Sequence, residues 1–227
     1  MNKPLISFVL PTFNRVEWVG EAMQGLLMQT IKDIELIVVD DCSTDGTDEL
    51  LQWFASKDSR VKVIKNGTNQ GAGQSRNIGN NVATADLIGV CDSDDVYPDN
   101  RAEDTLEFFK ANEGPIMMTA PYVRVNYFGQ NTEDFNGLPF DEKLFKETGA
   151  INYFCHPAAA YRKSDILEIG GYKRETDTIT DDYQLVKDWI AAGKKIGFAG
   201  ENYLCGHRVL PNSIMAKQRG FRPEWAA

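Results

Sequence analysis

Apolar positions in the first hundred residues follow two alternating rhythms. Short runs rich in β-branched residues, at 5–10, 34–39, 61–64 and 87–91, are bounded by turn residues and read as buried strands. Between them the apolar positions recur every three or four residues. Val16, Val19, Met23 and Leu26 predict a helix to about Gln29. Leu50, Leu51 and Phe54 predict a second, and Ile78 and Val82 a third that also carries Arg76 and Asn77. Asn14, with Glu17 three residues on, has the form of a capping box. Ser43-Thr44-Asp45-Gly46 supplies caps and turn residues, and Asn69-Gln70-Gly71-Ala72-Gly73 loops into the third helix. This alternation predicts an α/β fold with a mostly parallel sheet and helices on both faces.

Past Pro98 the pattern predicts a helix through Ala102, Leu106 and Phe109, then one strand from Ile116 to about Asn126. The stretch 128–148 is polar, contains Gly and Asn, and fits a loop over the binding crevice. A buried strand is expected at 158–161, a short helix capped by Ser164, and a tight turn at Gly170-Gly171-Tyr172. Thr180 caps a helix whose apolar face is Leu185, Trp189 and Ile190 and which Gly193 ends. Edge strands follow at 196–199 and 203–209. No repeat or linker interrupts the chain, so one domain over 1–227 is expected, with halves at about 1–98 and 99–227.

Composition narrows the partners. The 227 residues are 42% hydrophobic and 25% charged with a net charge of -9, and no basic run occurs, which argues against nucleic acid. An anionic substrate would need a metal or local Arg and Lys. No apolar run approaches the ~18 residues of a spanning helix, and no signal-peptide pattern opens the chain. Cys42, Cys91, Cys155 and Cys205 lack C-x-x-C spacing and His is scarce, so reduced thiols in a cytosolic compartment are expected rather than a zinc site.

Ligands of parallel sheets bind beyond the carboxyl ends of the strands. Pro11-Thr12, Asp40-Asp41, the Gly71 loop and Asp92-Ser93-Asp94-Asp95 all fall at such ends. In extended chain Asp92 and Asp94 share a side and Asp95 turns away. Two close carboxylates repel unless something positive lies between them, and Mg2+ or Mn2+ with substrate phosphates would suit them. A solvated acidic turn is the plainer alternative.

Four segments occur in order: Pro11-Thr12-Phe13-Asn14-Arg15, Val39-Asp40-Asp41-Cys42-Ser43-Thr44-Asp45-Gly46-Thr47, 71–79 with Arg76-Asn77, and Asp92-Ser93-Asp94-Asp95. Together they closely resemble the family-2 glycosyltransferases, inverting enzymes with the A-type nucleotide-sugar-binding fold (GT-A). The resemblance continues more weakly through Gly170-Gly171-Tyr172 and Thr180–Leu185. It implies a single Rossmann-like GT-A domain with a small acceptor-side sheet. It also implies a nucleoside-diphosphate sugar donor, with uridine diphosphate the commonest carrier, a glycan or glycolipid acceptor, and Mn2+ or Mg2+. Pro11, Thr12, Phe13, Asn14, Arg15, Asp40, Asp41 and Gly71 would surround the nucleoside, Arg76 would contact the nucleotide, and Asp92 with Ser93 the ribose or metal. Asp94 would ligate the metal, and Asp182 would be the catalytic base, with Asp181 where the family usually has Glu.

Where relatives have His in a segment like Arg208-Val209-x-Pro211-Asn212-Ser213, this chain has Leu210, and His207 is the candidate replacement ligand. Two other classes remain. Residues 88–96 also resemble the haloacid-dehalogenase-like phosphohydrolase motif, although that motif normally lies on the first strand. A nucleotide-sugar-binding domain without turnover is the non-enzymatic alternative. Without membrane spans or a Gln-x-x-Arg-Trp element, a single-addition transferase at the inner face of a membrane fits better than a processive synthase.

Overall fold

The structure is a computed structural model that describes residues 3–133, 137–149, 154–173, 180–200 and 202–210. The first half alternates as the periodicity predicts: β1 (Ile6–Thr12), α1 (Val19–Leu27), β2 (Ile34–Asp40), α2 (Thr47–Lys57), β3 (Val61–Lys65), α3 (Ala72–Val82) and β4 (Leu87–Val90). The second half adds α4 (Arg101–Ala111), β5 (Ile116–Thr119), β6 (Tyr122–Val125), β7 (Asn131–Glu133) and α5 (Glu142–Thr148). It ends with β8 (Ala160–Arg162), α6 (Lys163–Glu168), α7 (Asp181–Ala191), β9 (Lys195–Phe198) and β10 (Cys205–Arg208).

Among the described residues the strands form a seven-stranded sheet in the order β3-β2-β1-β4-β8-β5-β9 and a small sheet in the order β10-β6-β7. Strands β1 to β4 pair in parallel, whereas β8 is antiparallel to both β4 and β5. Ile6 opposes both Ile34 and Leu87, so the carboxyl ends of β1, β2 and β4 finish side by side.

Alternation along the strands sorts the core. Ile6, Phe8 and Leu10 join Leu36 and Val38 against α1, α2 and α4 on one face. Val9, Ile37 and Val39 join Ile78 of α3, Ile166 of α6 and Leu185 and Trp189 of α7 on the other. Each fully buried aliphatic or Phe side chain contributes about 1.5–3 kcal/mol. A register slip of one residue would exchange the two faces, so this burial also sets where each strand ends.

Close backbone approach holds α1 to the loop after β4. A Cβ on Gly25 would lie 2.6 Å from the Tyr97 carbonyl oxygen, which is backbone and cannot swing away. Gly25→Ala should therefore destabilise the protein by about 1–2 kcal/mol, the overpacking cost exceeding the ~1 kcal/mol that Ala gains as a helix former. A denaturant melt measures it, and an unchanged midpoint would mean that α1 can back away.

Several local expectations yield to tertiary contacts. Asn14 does not cap α1: it sits at φ 51, its side-chain oxygen accepts from Thr44 N at 2.9 Å, and the helix starts at Val19 without a side-chain cap. Ser164 does not cap α6, which begins one residue earlier. The expected strand 116–126 divides at Ala120-Pro121, where proline has no N–H to continue the ladder, and its second part joins the small sheet. The expected strand at 158–161 is a 3-10 turn (His156–Ala158) followed by β8. Residues 128–148 include β7 and α5, whose cap Asp141 accepts from Leu144 N at 2.9 Å, rather than forming one loop. The expected edge strands are present as β9 and β10.

Candidate active site

The loops after β1 and β2 are stitched into one wall. Asn14 N donates to Ser43 Oγ at 2.9 Å, Arg15 N to Thr47 Oγ1 at 2.9 Å, and Val16 N to Asp45 at 3.2 Å. Ser43 N in turn donates to Asp40 Oδ1 at 3.1 Å. Thr12 and Asp40 are register neighbours, and Thr12 Oγ1 and Asp40 Oδ2 are both buried with no hydrogen-bond partner among the described residues. A donor and an acceptor orphaned together at adjacent strand ends would each cost free energy unless a ligand completes them. Pro11 is buried within β1, while Phe13 beyond it stays 43% exposed.

Asp41 is engaged by the protein itself. Its carboxylate accepts from Asn66 Nδ2 (2.7 Å), Gln70 N (2.9 Å) and Gly71 N (2.7 Å), so it ties the loop that leads into α3. Gly71 meets this loop's geometry at φ 88, a value that favours glycine. A cavity of about 220 Å³ lies over the loop, lined by 69–74 and Lys173. Asp41→Ala should cost about 1.5–3 kcal/mol of stability, because it removes charge-assisted bonds from buried groups, and should weaken uridine diphosphate binding with or without metal. Melting and calorimetry together check this. Weaker binding in an undiminished fold would make Asp41 a direct contact, and unchanged affinity would leave it a purely structural residue.

The acidic turn after β4 is braced from behind. Asp92 N donates to the Tyr97 hydroxyl (2.6 Å), which donates back to the Asp92 carbonyl (3.0 Å). An isolated bridge pairs Val96 with Gly206 of β10. Asp95, 1% exposed, turns into the protein, accepts from Arg208 N at 2.8 Å and lies 3.3 Å from His207 Nδ1. Ser93 is also buried. Arg208 holds the turn through Asp94 O (2.7 Å) and reaches Asn126 O, Tyr127 O and Glu21. Sequence reasoning missed Glu21 and the bracing role of Arg208, because their partners lie far along the chain. Pro211-Asn212-Ser213 falls outside the described residues.

Asp94 keeps part of its side chain exposed and meets Arg15 Nε at 3.3 Å. Burial, with the carboxylates of Asp95 and Asp92, pushes Asp94 up to about 6, and Arg15 and His207 offset them only in part. Burial also opposes a charge on His207, but Asp95 overrides it and raises His207 to about 10. A charged imidazole with Nδ1 on Asp95 has a second N–H at Nε2, which suits an oxygen acceptor such as a phosphate rather than the metal-ligand role considered for His207 from the sequence. This end of β4 is therefore overcharged, and its hard oxygens suit Mg2+ or Mn2+. Among the described residues no three acidic, His or Cys side chains form a ready-made cage, so a cation would need ligands from its substrate.

At the start of α7, Thr180 occupies the cap position but makes no side-chain cap. Its hydroxyl donates to Asp182 Oδ1 instead, which also accepts from Tyr183 N at 2.7 Å. Asp181 is buried and bonded to Arg76 Nη1 at 2.7 Å, while Asp182 is half-buried. Arg76 also donates to Asp92 Oδ1 at 2.5 Å. The four cysteines are free.

Parallel strands with carboxylates at their ends, a small second sheet and a further acid pair on a facing helix define the glycosyltransferases of the GT-A class. The chain belongs to glycosyl transferase family 2, whose sequence profile matches residues 7–170. An uncharacterized glycosyltransferase of Haemophilus influenzae is 39% identical over 119 residues, covering 52% of this chain and 47% of the relative. A putative teichuronic acid biosynthesis glycosyltransferase, TuaG of Bacillus subtilis, is 36% identical over 106 residues, covering 47% and 42%. The chain thus spans about half or less of these curated relatives. In fold it is similar to S. aureus TarS 1-349 in complex with UDP-GlcNAc, with TM-score 0.72, 22% identity, and coverage of 93% of this chain and 60% of that one. A mannosyltransferase of Pyrobaculum calidifontis in complex with GDP-Man and Mn2+ gives TM-score 0.70 at 17% identity, covering 96% and 60%. Among the described residues no helix is long and apolar enough to cross a membrane.

Proposed function

We propose that this glycosyltransferase is inverting and metal-dependent, and moves a sugar from a uridine diphosphate donor to a hydroxyl of a glycan or glycolipid by one displacement. The reading places it in the cytoplasm at the inner face of a membrane, building cell-surface polysaccharide. Residues 1–98 bind the donor and 99–227 the acceptor. The observation that carries it is the juxtaposition of orphaned Thr12 Oγ1 and Asp40 Oδ2 with an overcharged Asp94 across neighbouring strand ends. One edge asks for polar ligand groups and the other for positive charge, which together describe a nucleotide carrying a cation on its phosphates.

In this reading Thr12 and Asp40, with the Asp41-held loop, receive the nucleoside. Asp94 and Asp92 would hold Mn2+ or Mg2+ together with the diphosphate, and His207, charged beside Asp95, would donate to a diphosphate oxygen. When bound, the cation stabilises the negative charge that develops as the sugar leaves the diphosphate. Asp182 takes the acceptor's proton. Its Oδ1 is fixed by Thr180 and Tyr183, and among the described residues these bonds do not draw on Oδ2, the oxygen assigned to the hydroxyl. The names of similar proteins support the donor class: TarS was solved with UDP-GlcNAc and the P. calidifontis enzyme with GDP-Man and Mn2+. TuaG's assignment to teichuronic acid supports a surface polysaccharide.

A thermal-shift panel of nucleotide sugars with and without Mn2+ tests the reading. A uridine diphosphate sugar with Mn2+ should raise the melting temperature most, and either alone should do little. A larger rise with a guanosine or thymidine diphosphate sugar would reassign the base. No rise with any nucleotide would sink the donor reading.

A further inference from the structure

One face of α3 grips the acceptor half of the molecule. Gly73, Arg76, Asn77 and Asn80 are spaced at three and four residues, which brings them to a common side of the helix. Asn77 closes a reciprocal pair with the Tyr172 backbone, Oδ1 accepting from N and Nδ2 donating to O, each at 2.8 Å. Asn80 Nδ2 donates to the Tyr161 hydroxyl at 3.2 Å. That hydroxyl lies 3.2 Å from the Tyr172 hydroxyl, which meets His156 Nε2 at 2.9 Å. Gly73 lets α7 approach, since a Cβ there would sit 3.1 Å from the Asp181 side chain.

Arg76 lies at the centre of this face, 5% exposed and 5.5 Å from the centroid of the Tyr172 ring. One terminal nitrogen holds Asp92 after β4 and the other holds Asp181 on α7. Asp181 Oδ1 in turn accepts from Asp182 N at 2.9 Å. A continuous line of bonds therefore runs from Asp92 through Arg76 and Asp181 to the proposed base. Only the fork of a guanidinium spans two carboxylates in this way; a Lys ammonium offers a single point of charge.

We infer that Arg76 is a positioning residue that couples donor binding at Asp92 to the ordering of the Asp181–Asp182 turn. The inference rests on the donor reading above and departs from the nucleotide contact that the family resemblance implies for Arg76. A donor or its cation drawing on Asp92 redistributes the bonds of Arg76, and the first turn of α7 responds through Asp181. The base is then held most firmly when a donor is in place.

The test uses the full chain, uridine diphosphate with Mn2+ as probe, calorimetry for affinity, and amide hydrogen exchange at Asp182 and Tyr183. In the wild-type protein the probe should slow exchange at both amides by about fivefold or more, the low end of coupling between linked sites. Arg76→Lys should bind the probe within about threefold of wild type yet lose the slowing, because charge is kept and the bridge is not. Slowing that survives in Arg76→Lys would overturn the coupling. So would a tenfold or greater loss of affinity, which would make Arg76 a direct nucleotide contact. If Arg76→Lys does not fold, Gly73→Ala serves in its place: it keeps Arg76 but presses on Asp181, and it too should bind the probe without slowing α7. Persistent slowing there would count against the inference equally. Wild-type binding without any slowing would refute the coupling alone, whereas no wild-type binding would remove the donor reading and the coupling with it.

Discussion

Replacing Asp182 with Asn is expected to cut sugar transfer by about 10²-fold or more while donor binding survives. Asn keeps the size of the side chain and can still accept from Thr180 and Tyr183 N, so the turn should keep its shape. It cannot take a proton from the acceptor hydroxyl, and removal of a general base typically costs ~10² to 10⁴ in rate. Asp181→Asn should cost less than Asp182→Asn, because Asp181 is committed to Arg76 and to the Asp182 amide rather than to an acceptor. Kinetics of both variants with a fixed donor and acceptor, and the anomeric configuration of the product, check this. Near wild-type transfer by Asp182→Asn would remove it as base. A product that keeps the donor's configuration would exclude a single displacement.

The second large effect concerns Asp94. Asp94→Ala should abolish the Mn2+-dependent tightening of nucleoside diphosphate binding, since a hard cation here takes its protein ligands from the turn after β4. The metal effect should also depend on pH, with a sign set by the raised pKa. Asp94 titrates near 6 in the folded protein against 3.8 for an ordinary Asp, so between those values the native state holds more of this proton than the unfolded state does. Stability from this group therefore falls as pH rises through that window. A cation competes with the same proton, so the Mn2+-dependent tightening should grow as pH rises through 6 and level off above it. Calorimetry at several pH values measures it. Undiminished tightening in Asp94→Ala, or a pH-independent metal effect, would move the cation elsewhere.

Much of this architecture was legible from periodicity. Strand and helix alternation over β1 to β4 depends on which residues are apolar and at what interval, and that is local information. The strand ends were legible too, because turn residues and acids follow each run. The misread elements share a different cause. Asn14 has the sequence of a cap but bonds across to Thr44, since stitching two loops together satisfies groups that a single helix end would leave open. The strand 116–126 has no break in its apolar pattern beyond Pro121, and only pairing with β10 and β7 assigns its second part to another sheet.

Fold class, family and the places where acids collect follow from local pattern, because strand ends and short motifs are encoded within a few residues of one another. How those acids divide their work is set by long-range packing. Asp41 holds a loop, Asp95 braces β10, Asp94 stays partly exposed beside Arg15, and Asp92 and Asp181 share Arg76. The physical reason is that a carboxylate's role follows from its partners, and these partners stand as many as 113 positions away in the chain. Local pattern places a charge, but burial and long-range hydrogen bonds decide whether it props the fold or remains available to a ligand.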